Sequence, residues 1–425
     1  MTAGVLRRGE TGCACYTRRP DLNTLIFKHY ICNYTYKMYN DSFLQKKLSE
    51  RKALDAFRSL RLPYGKVDFC SNDYLGIVKN NLLTVNAPQP VVHFSPTNKP
   101  VSQAANQQQA NRQLSPASGS TGSRLLAGNY TLIEETENII ATFHQSEAAL
   151  IFNSGYDANL GVLSSIPQKG DTILYDVLSH ASIRDGIRLS FANAFSFEHN
   201  DTDDLEKKLK QAKGTVFVVT ESVFSMDGDI CPLTEILALC KKYNAHLILD
   251  EAHATGVVGG KGEGLAQHLQ LHRDVFCRMH TFGKACGCHG AVVLGSGSLR
   301  DYLINFSRSF IYTTALPEQT AEHIKTSYTV FPAMHAEREH LNTLIAAFQS
   351  AEVVYEKLVS TTPVQVVLVP GNSAARKLAD SLQQTGFDVR AILYPTVPKE
   401  KERLRIVLHA FNTVEEVDRL VKVLK

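Results

Sequence analysis

Between residues 148 and 294, short and almost wholly apolar runs alternate with amphipathic ones, and no other feature restricts the fold so strongly. The apolar runs are Ala148–Phe152, Thr172–Tyr175, Val216–Val219, His246–Asp250, Val275–His280 and Ala291–Leu294. Helical patterns stand between them, beginning near Asp157, running through Ile183 and Ile187, and through Leu233, Ile236 and Leu239. Strands apolar at every position are buried on both faces, so the pattern predicts an α/β fold with a large, mostly parallel sheet covered by helices. In such sheets functional residues gather at the carboxyl ends of the strands.

The remaining sequence divides around this core. Residues 1–37 are basic and acid-poor, with Arg7, Arg8, Arg18, Arg19, Lys28 and Lys37 against Glu10 and Asp21. They lack the apolar stretch of a secretory signal. An organelle transit peptide and translated sequence upstream of a start at Met38 are the two readings. The second is favoured, because helical periodicity begins only after Met38. Over 38–80 we expect a helix and arm, with an apolar stripe of Phe43, Leu44, Leu48, Leu54, Phe57 and Leu60. Residues 81–117, rich in Gln, Asn, Pro and Ser, read as a polar loop insertion. The large domain then spans 118–316. A smaller α+β domain spans 317–425, with strands at Val364–Val369, Val389–Leu393 and Leu404–Leu408.

Bulk properties exclude several classes of function. A net charge of +3 is too small and too dispersed to suggest nucleic acid. No apolar run reaches the roughly 20 residues of a membrane span. The 9 cysteines are odd in number and match no zinc spacing, so they read as reduced thiols in a cytoplasmic setting, with no metal expected. Cys286 and Cys288 read as small packing residues rather than a redox pair.

The chemistry concentrates at the predicted strand ends. Lys284 lies among small residues in the turn Thr281-Phe282-Gly283-Lys284-Ala285-Cys286-Gly287. Upstream, the run His246–Leu249 ends in Asp250-Glu251-Ala252-His253. A lone lysine downstream of a strand-end aspartate and histidine is what pyridoxal 5′-phosphate requires. The amine forms an imine with the cofactor aldehyde, and the aspartate keeps the pyridine nitrogen protonated. Alone, Asp250 would more often cap the next helix. A buried carboxylate paired with a cation is the sharper reading. Asn153-Ser154-Gly155-Tyr156 joins a strand to a helix, where backbone N–H groups suit a phosphate, although most such turns bind nothing. His180 and Ser225 stand at further strand ends. The convergence of these groups outweighs any one of them.

The segments SNDYLG (71–76), GSTGSRLLAGN (119–129), LSHAS (178–182), ESVFSMDGD (221–229), LDEAHATGV (249–257), TFGKACG (281–287), IYTTALP (311–317), PTVP (395–398) and RLR (403–405) together resemble the α-oxoamine synthases. These are pyridoxal-phosphate enzymes of the aspartate aminotransferase fold, known as fold type I. The resemblance runs from about Asp41 to the C-terminus. It departs from the family at Thr121-Gly122, where Gly-Gly is usual, in the long 81–117 insertion, and in the first 37 residues.

The resemblance implies roles residue by residue. Lys284 forms the imine and later acts as base. Asp250 pairs with the pyridine nitrogen, and His253 with the phenolic oxygen. His180 stacks on the ring, Ser225, Thr281, Gly155 and Tyr156 contact the cofactor, and Arg58, Thr396, Arg405 and Asn72 contact substrate. Arg405 suits a carboxylate, which a guanidinium grips with two parallel bonds. The implied reaction is condensation of L-alanine with a pimeloyl thioester of coenzyme A or acyl carrier protein, with loss of CO2, in biotin synthesis. Glycine- or serine-using members, an aminotransferase and a non-catalytic partner subunit are the alternatives. The family also implies a homodimer with shared sites, to which Thr313 or Thr314 would contribute.

Overall fold

The computed structural model describes residues 41–60, 62, 65–83 and 117–425. The expected features of residues 1–37, and most of the polar insertion, lie outside the described residues. The chain divides into two compact units, Met1–Arg51 and Lys52–Lys425.

The larger unit is built on a seven-stranded sheet in the order β2-β8-β7-β6-β5-β3-β4. The strands are β2 (Ala148–Phe152), β3 (Thr172–Asp176), β4 (Asn193–Phe197), β5 (Val216–Glu221), β6 (His246–Asp250), β7 (Cys277–Thr281) and β8 (Ala291–Gly295). β8 runs antiparallel to both of its neighbours, and the other pairings are parallel. Every residue of β5 and β7 is buried. Side chains alternate between faces, so Ile248 joins one apolar layer with Val162 and Ile183, while Leu247 and Leu249 join another with Ile236 and Leu237.

The expected alternation is therefore present, with two differences at its margins. β4 escapes a search for apolar runs because Asn193 and Ser196 interrupt it. Asn193 and Phe195 are exposed there and Phe197 is buried. The strand expected from Val275 begins at Cys277.

The C-terminal part carries a three-stranded antiparallel sheet, β11 (Arg390–Ile392), β12 (Arg403–Val407) and β9 (Val364–Leu368), in that order. Helices Asn372–Gln384 and Val414–Leu424 pack with it around Val367, Leu382, Leu404, Ile406 and Leu420. Thr413 and Glu416 form a reciprocal capping box that starts the last helix. A short strand near the start of the described chain, β1 (Val67–Asp68), pairs in parallel with β10 (Phe387–Asp388). Val407 N–H then donates to Phe69 O at 2.9 Å, and Ala410 N–H to Tyr74 O at 2.8 Å.

The helix expected over Phe43–Leu60 is shorter, Ser42–Ala53, and none of its residues is buried. Asp55, at φ 51, ends it in the left-handed region. Phe43 is 74% exposed. No described helix is long and apolar enough to cross a membrane.

Candidate active site at the strand ends

Asp250 closes β6 and is only 6% exposed. Its Oδ1 accepts from Ala252 N–H at 2.8 Å and its Oδ2 from Asn159 Nδ2 at 2.8 Å. Asn159, on helix Gly155–Ser165, also donates to Ser182 Oγ at 3.0 Å, and Ser182 Oγ lies 2.7 Å from His180 Nδ1. Ser182 N–H donates to the same Nδ1 at 3.2 Å, so that nitrogen is an acceptor and the neutral ring carries its proton on Nε2. The aspartate and the His180 ring are thus locked in one frame.

Glu221 stands beside Asp250 in register at the end of β5 and accepts from His180 N–H at 2.6 Å. Burial, reinforced by Asp250, pushes its carboxyl well above the usual range. Lys284 follows β7, half-buried at the cleft yet surrounded by protein. Loss of water, with Arg405 adding to it, brings its amine down to about 8 against the pull of Asp250 and Glu221.

A second frame meets the first through His253, which feels Lys284, Arg405 and His180. His253 Nδ1 lies 2.6 Å from Tyr74 Oη, and Tyr74 Oη lies 3.2 Å from Asn72 Oδ1. Arg405, on β12, donates from Nη2 to Asn72 Oδ1 at 3.0 Å and from Nε to Ser225 O at 2.7 Å.

The 222–230 loop is held from the C-terminal part as well. Ser360 and Thr362 hydroxyls donate to Gly228 O at 2.7 and 2.8 Å, and Arg403 pairs with Asp227 at 2.5 Å. Gly228 sits at φ +76, and a Cβ there would lie 2.1 Å from Val364 O, so only glycine fits. Beyond the loop, His199 bridges Asp176 and Asp229 at 3.0 and 2.8 Å.

Ser154 Oγ accepts from Asp157 N–H and so starts helix Gly155–Ser165. A Cβ on Gly155 would lie 3.6 Å from Thr281 Oγ1, so the helix start and the end of β7 border one space. Tyr156 is 43% exposed, and its hydroxyl bonds Asp185. Thr313 Oγ1 and Thr314 O accept from Asn153 of their own chain at 2.9 and 2.8 Å.

Most of the residues singled out in the sequence therefore converge. Lys284, Asp250, His180, His253, Asn72, Arg405 and the Ser225 backbone form the group, with Gly155 and Thr281 bordering one space. Arg58 and Thr396 make a separate pair, Nη2 to Oγ1 at 2.9 Å, and Arg58 lines a cavity of about 460 Å³ with Phe57, Arg376, Arg390 and Leu393. Glu221, Tyr74, Asn159 and Ser182 were not singled out. Glu221, Tyr74 and Ser182 lie inside quoted motifs, which gave a signal, but Asn159 gave none.

The donor set suits a cationic heteroaromatic cofactor. Asp250 is a buried carboxylate with N–H bonds but no ion pair among the described residues, which calls for a cation beside it. An amine of lowered basicity stands nearby. No described group of His, Cys, Asp and Glu could hold a metal ion.

Comparison with known proteins agrees with this chemistry. A family model described as aminotransferase class I and II matches residues 65–424. The 8-amino-7-oxononanoate synthase of Emericella nidulans is 42% identical over 389 residues, covering 85% of this chain and 89% of that one. Among solved structures, a serine palmitoyltransferase variant from S. paucimobilis with bound PLP-myriocin aldimine aligns with a TM-score of 0.76 at 25% identity, covering 90% of this chain and 96% of that one. The 8-amino-7-oxononanoate synthase of Francisella tularensis aligns with a TM-score of 0.66 at 27% identity, covering 84% and 96%. The chain belongs to the aminotransferase class I and II family, and within it to the α-oxoamine synthases.

Proposed function

We propose that this is a cytoplasmic, pyridoxal-phosphate-dependent acyltransferase. It condenses L-alanine with a pimeloyl thioester to give 8-amino-7-oxononanoate, CO2 and free thiol, a step of biotin synthesis. The observation that carries the reading is Arg405, anchored by Asn72 and Ser225 O and close enough to Lys284 to lower its basicity. A carboxylate held there presents its amino acid to the lysine. The names of the relatives support alanine and the pimeloyl group.

The cofactor, when bound, supplies an electron sink for charge developing at the amino-acid Cα. Lys284 would hold its aldehyde carbon, Asp250 its pyridine nitrogen and His253 its phenolic oxygen. Thr281 and the helix start at Gly155 and Tyr156 would hold its phosphate, with the Ser225 segment alongside and His180 over the ring. Lys284, near pKa 8, is suited to take the Cα proton and to return one. Arg405 and Asn72 hold the carboxylate until it leaves as CO2. His180, with its proton on Nε2, is suited to orient the acyl carbonyl. Arg58, at its own cavity, and Thr396, bonded to it, would meet substrate. We read the active form as a homodimer, in keeping with the exposed Leu126 and Tyr312 on the flanking motifs.

Spectral titration of the cofactor-loaded protein with alanine, glycine and serine tests the reading. Alanine should bind productively, and with pimeloyl thioester it should release one CO2 per thiol. Lys284→Ala should lose both the absorbance of the bound cofactor and turnover. Productive turnover with glycine or serine but not alanine would reassign the enzyme within the family.

A further inference from the structure

Tyr74 is fully buried, and no role has yet been given to its hydroxyl. That hydroxyl has one hydrogen and two acceptors in reach, His253 Nδ1 at 2.6 Å and Asn72 Oδ1 at 3.2 Å. Hydroxyl hydrogen bonds centre near 2.7–2.8 Å and weaken beyond about 3.0 Å, so the hydrogen belongs to the histidine contact. Asn72 Oδ1 is already served by the Arg405 N–H at 3.0 Å. The opposite polarity, with Nδ1–H donating to Tyr74, would force the hydroxyl hydrogen onto the long Asn72 contact.

We propose that Tyr74 is a positioning residue that donates to His253 Nδ1 and so keeps the His253 proton on Nε2, the nitrogen left for the cofactor's phenolic oxygen. This rests on the reading of pyridoxal phosphate at the site. Burial supports the assignment independently: it pushes Tyr74 up to about 12, and it pushes His253 well below its usual value, with Lys284, Arg405 and His180 adding to the effect. Neither partner is then ionised near neutrality, and a single hydrogen lies between them. The same tyrosine touches Asn72, so the histidine that serves the cofactor and the arginine that grips substrate share one frame.

The test is the pH titration of cofactor absorbance in the loaded protein. A weaker donor at the phenolic oxygen leaves that oxygen more basic. Tyr74→Phe should therefore raise the midpoint by about one pH unit, a tenfold change in the proton equilibrium. In a His253→Ala background the same substitution should leave the midpoint where it is. An unchanged midpoint in the single variant, or an equal shift in both backgrounds, overturns the proposal. If wild type itself takes up no cofactor, the functional reading fails first. Should Tyr74→Phe fold poorly, 15N NMR of histidine-labelled wild type decides directly. A proton on His253 Nε2 supports the assignment, and one on Nδ1 overturns it.

Discussion

Glu221 offers a quantitative check on the electrostatics of the strand ends. It is 3% exposed, stands in register with Asp250, and accepts the His180 N–H. Its carboxyl is raised in the folded protein from an unfolded value near 4.5, mainly by burial. A carboxyl raised in this way contributes its full stability below about pH 4.5 and loses it as pH climbs toward the folded pKa. Glu221→Gln keeps an oxygen for the His180 N–H but cannot ionise. Wild type should therefore lose stability relative to the variant by about 1.4 kcal/mol per pH unit above 4.5, until the folded pKa is reached. Urea unfolding of both full-length proteins at half-unit pH intervals from about 5 to 8 measures the difference. Parallel stability curves across this range would show that the Glu221 carboxyl is not raised, and this account of the strand-end electrostatics would fall.

The His199 clamp should show a pH dependence that begins higher. Burial lowers His199, but hydrogen bonds to Asp176 and Asp229 outweigh it and raise the ring to about 10. Its stabilisation is complete below about 6.5 and lost as pH passes through 10. His199→Ala should thus cost most near pH 6, up to about 4 kcal/mol, and progressively less by pH 10, as chemical unfolding can measure. Arg124 and Glu137 form a buried ion pair at 2.8 Å, and Glu137 also accepts from Ile151 N–H. Arg124→Met should lower stability by about 3–5 kcal/mol, because it strands the carboxylate. A loss under 1 kcal/mol would mean that Arg300, 3.6 Å from Glu137, takes over.

Sequence reasoning reached the parts of the site that depend on one segment at a time. Lys284 and Asp250 stand out because each sits in a short turn whose composition is already unusual, and the apolar runs that deliver them form the central strands. The parts that escaped depend on pairing across the chain. Asn159 reaches Asp250 over 91 positions, and Tyr74 reaches His253 over 179. Neither contact leaves a local pattern, because Asn159 looks like any polar residue on a helix and Tyr74 like any core aromatic. β4 escaped for another reason: Asn193 and Ser196 break its apolar run.

The pairing of β1 with β10 bears on how such a protein is made. Asn72 and Tyr74 follow β1, while Arg405 lies on β12, so the bond between Asn72 and Arg405 closes over 333 residues of chain. During vectorial synthesis the strands that end in Asp250 and Thr281, and the lysine beyond them, leave the ribosome long before the arginine does. A growing chain can thus assemble the large sheet while the proposed carboxylate grip, Arg405, waits for the C-terminal strands. Truncation after Leu393 would remove Arg405 and β12 while leaving Lys284, Asp250 and His253 in place. A nascent or prematurely terminated chain of that kind would have the groups for its cofactor without the means to commit an amino acid to reaction.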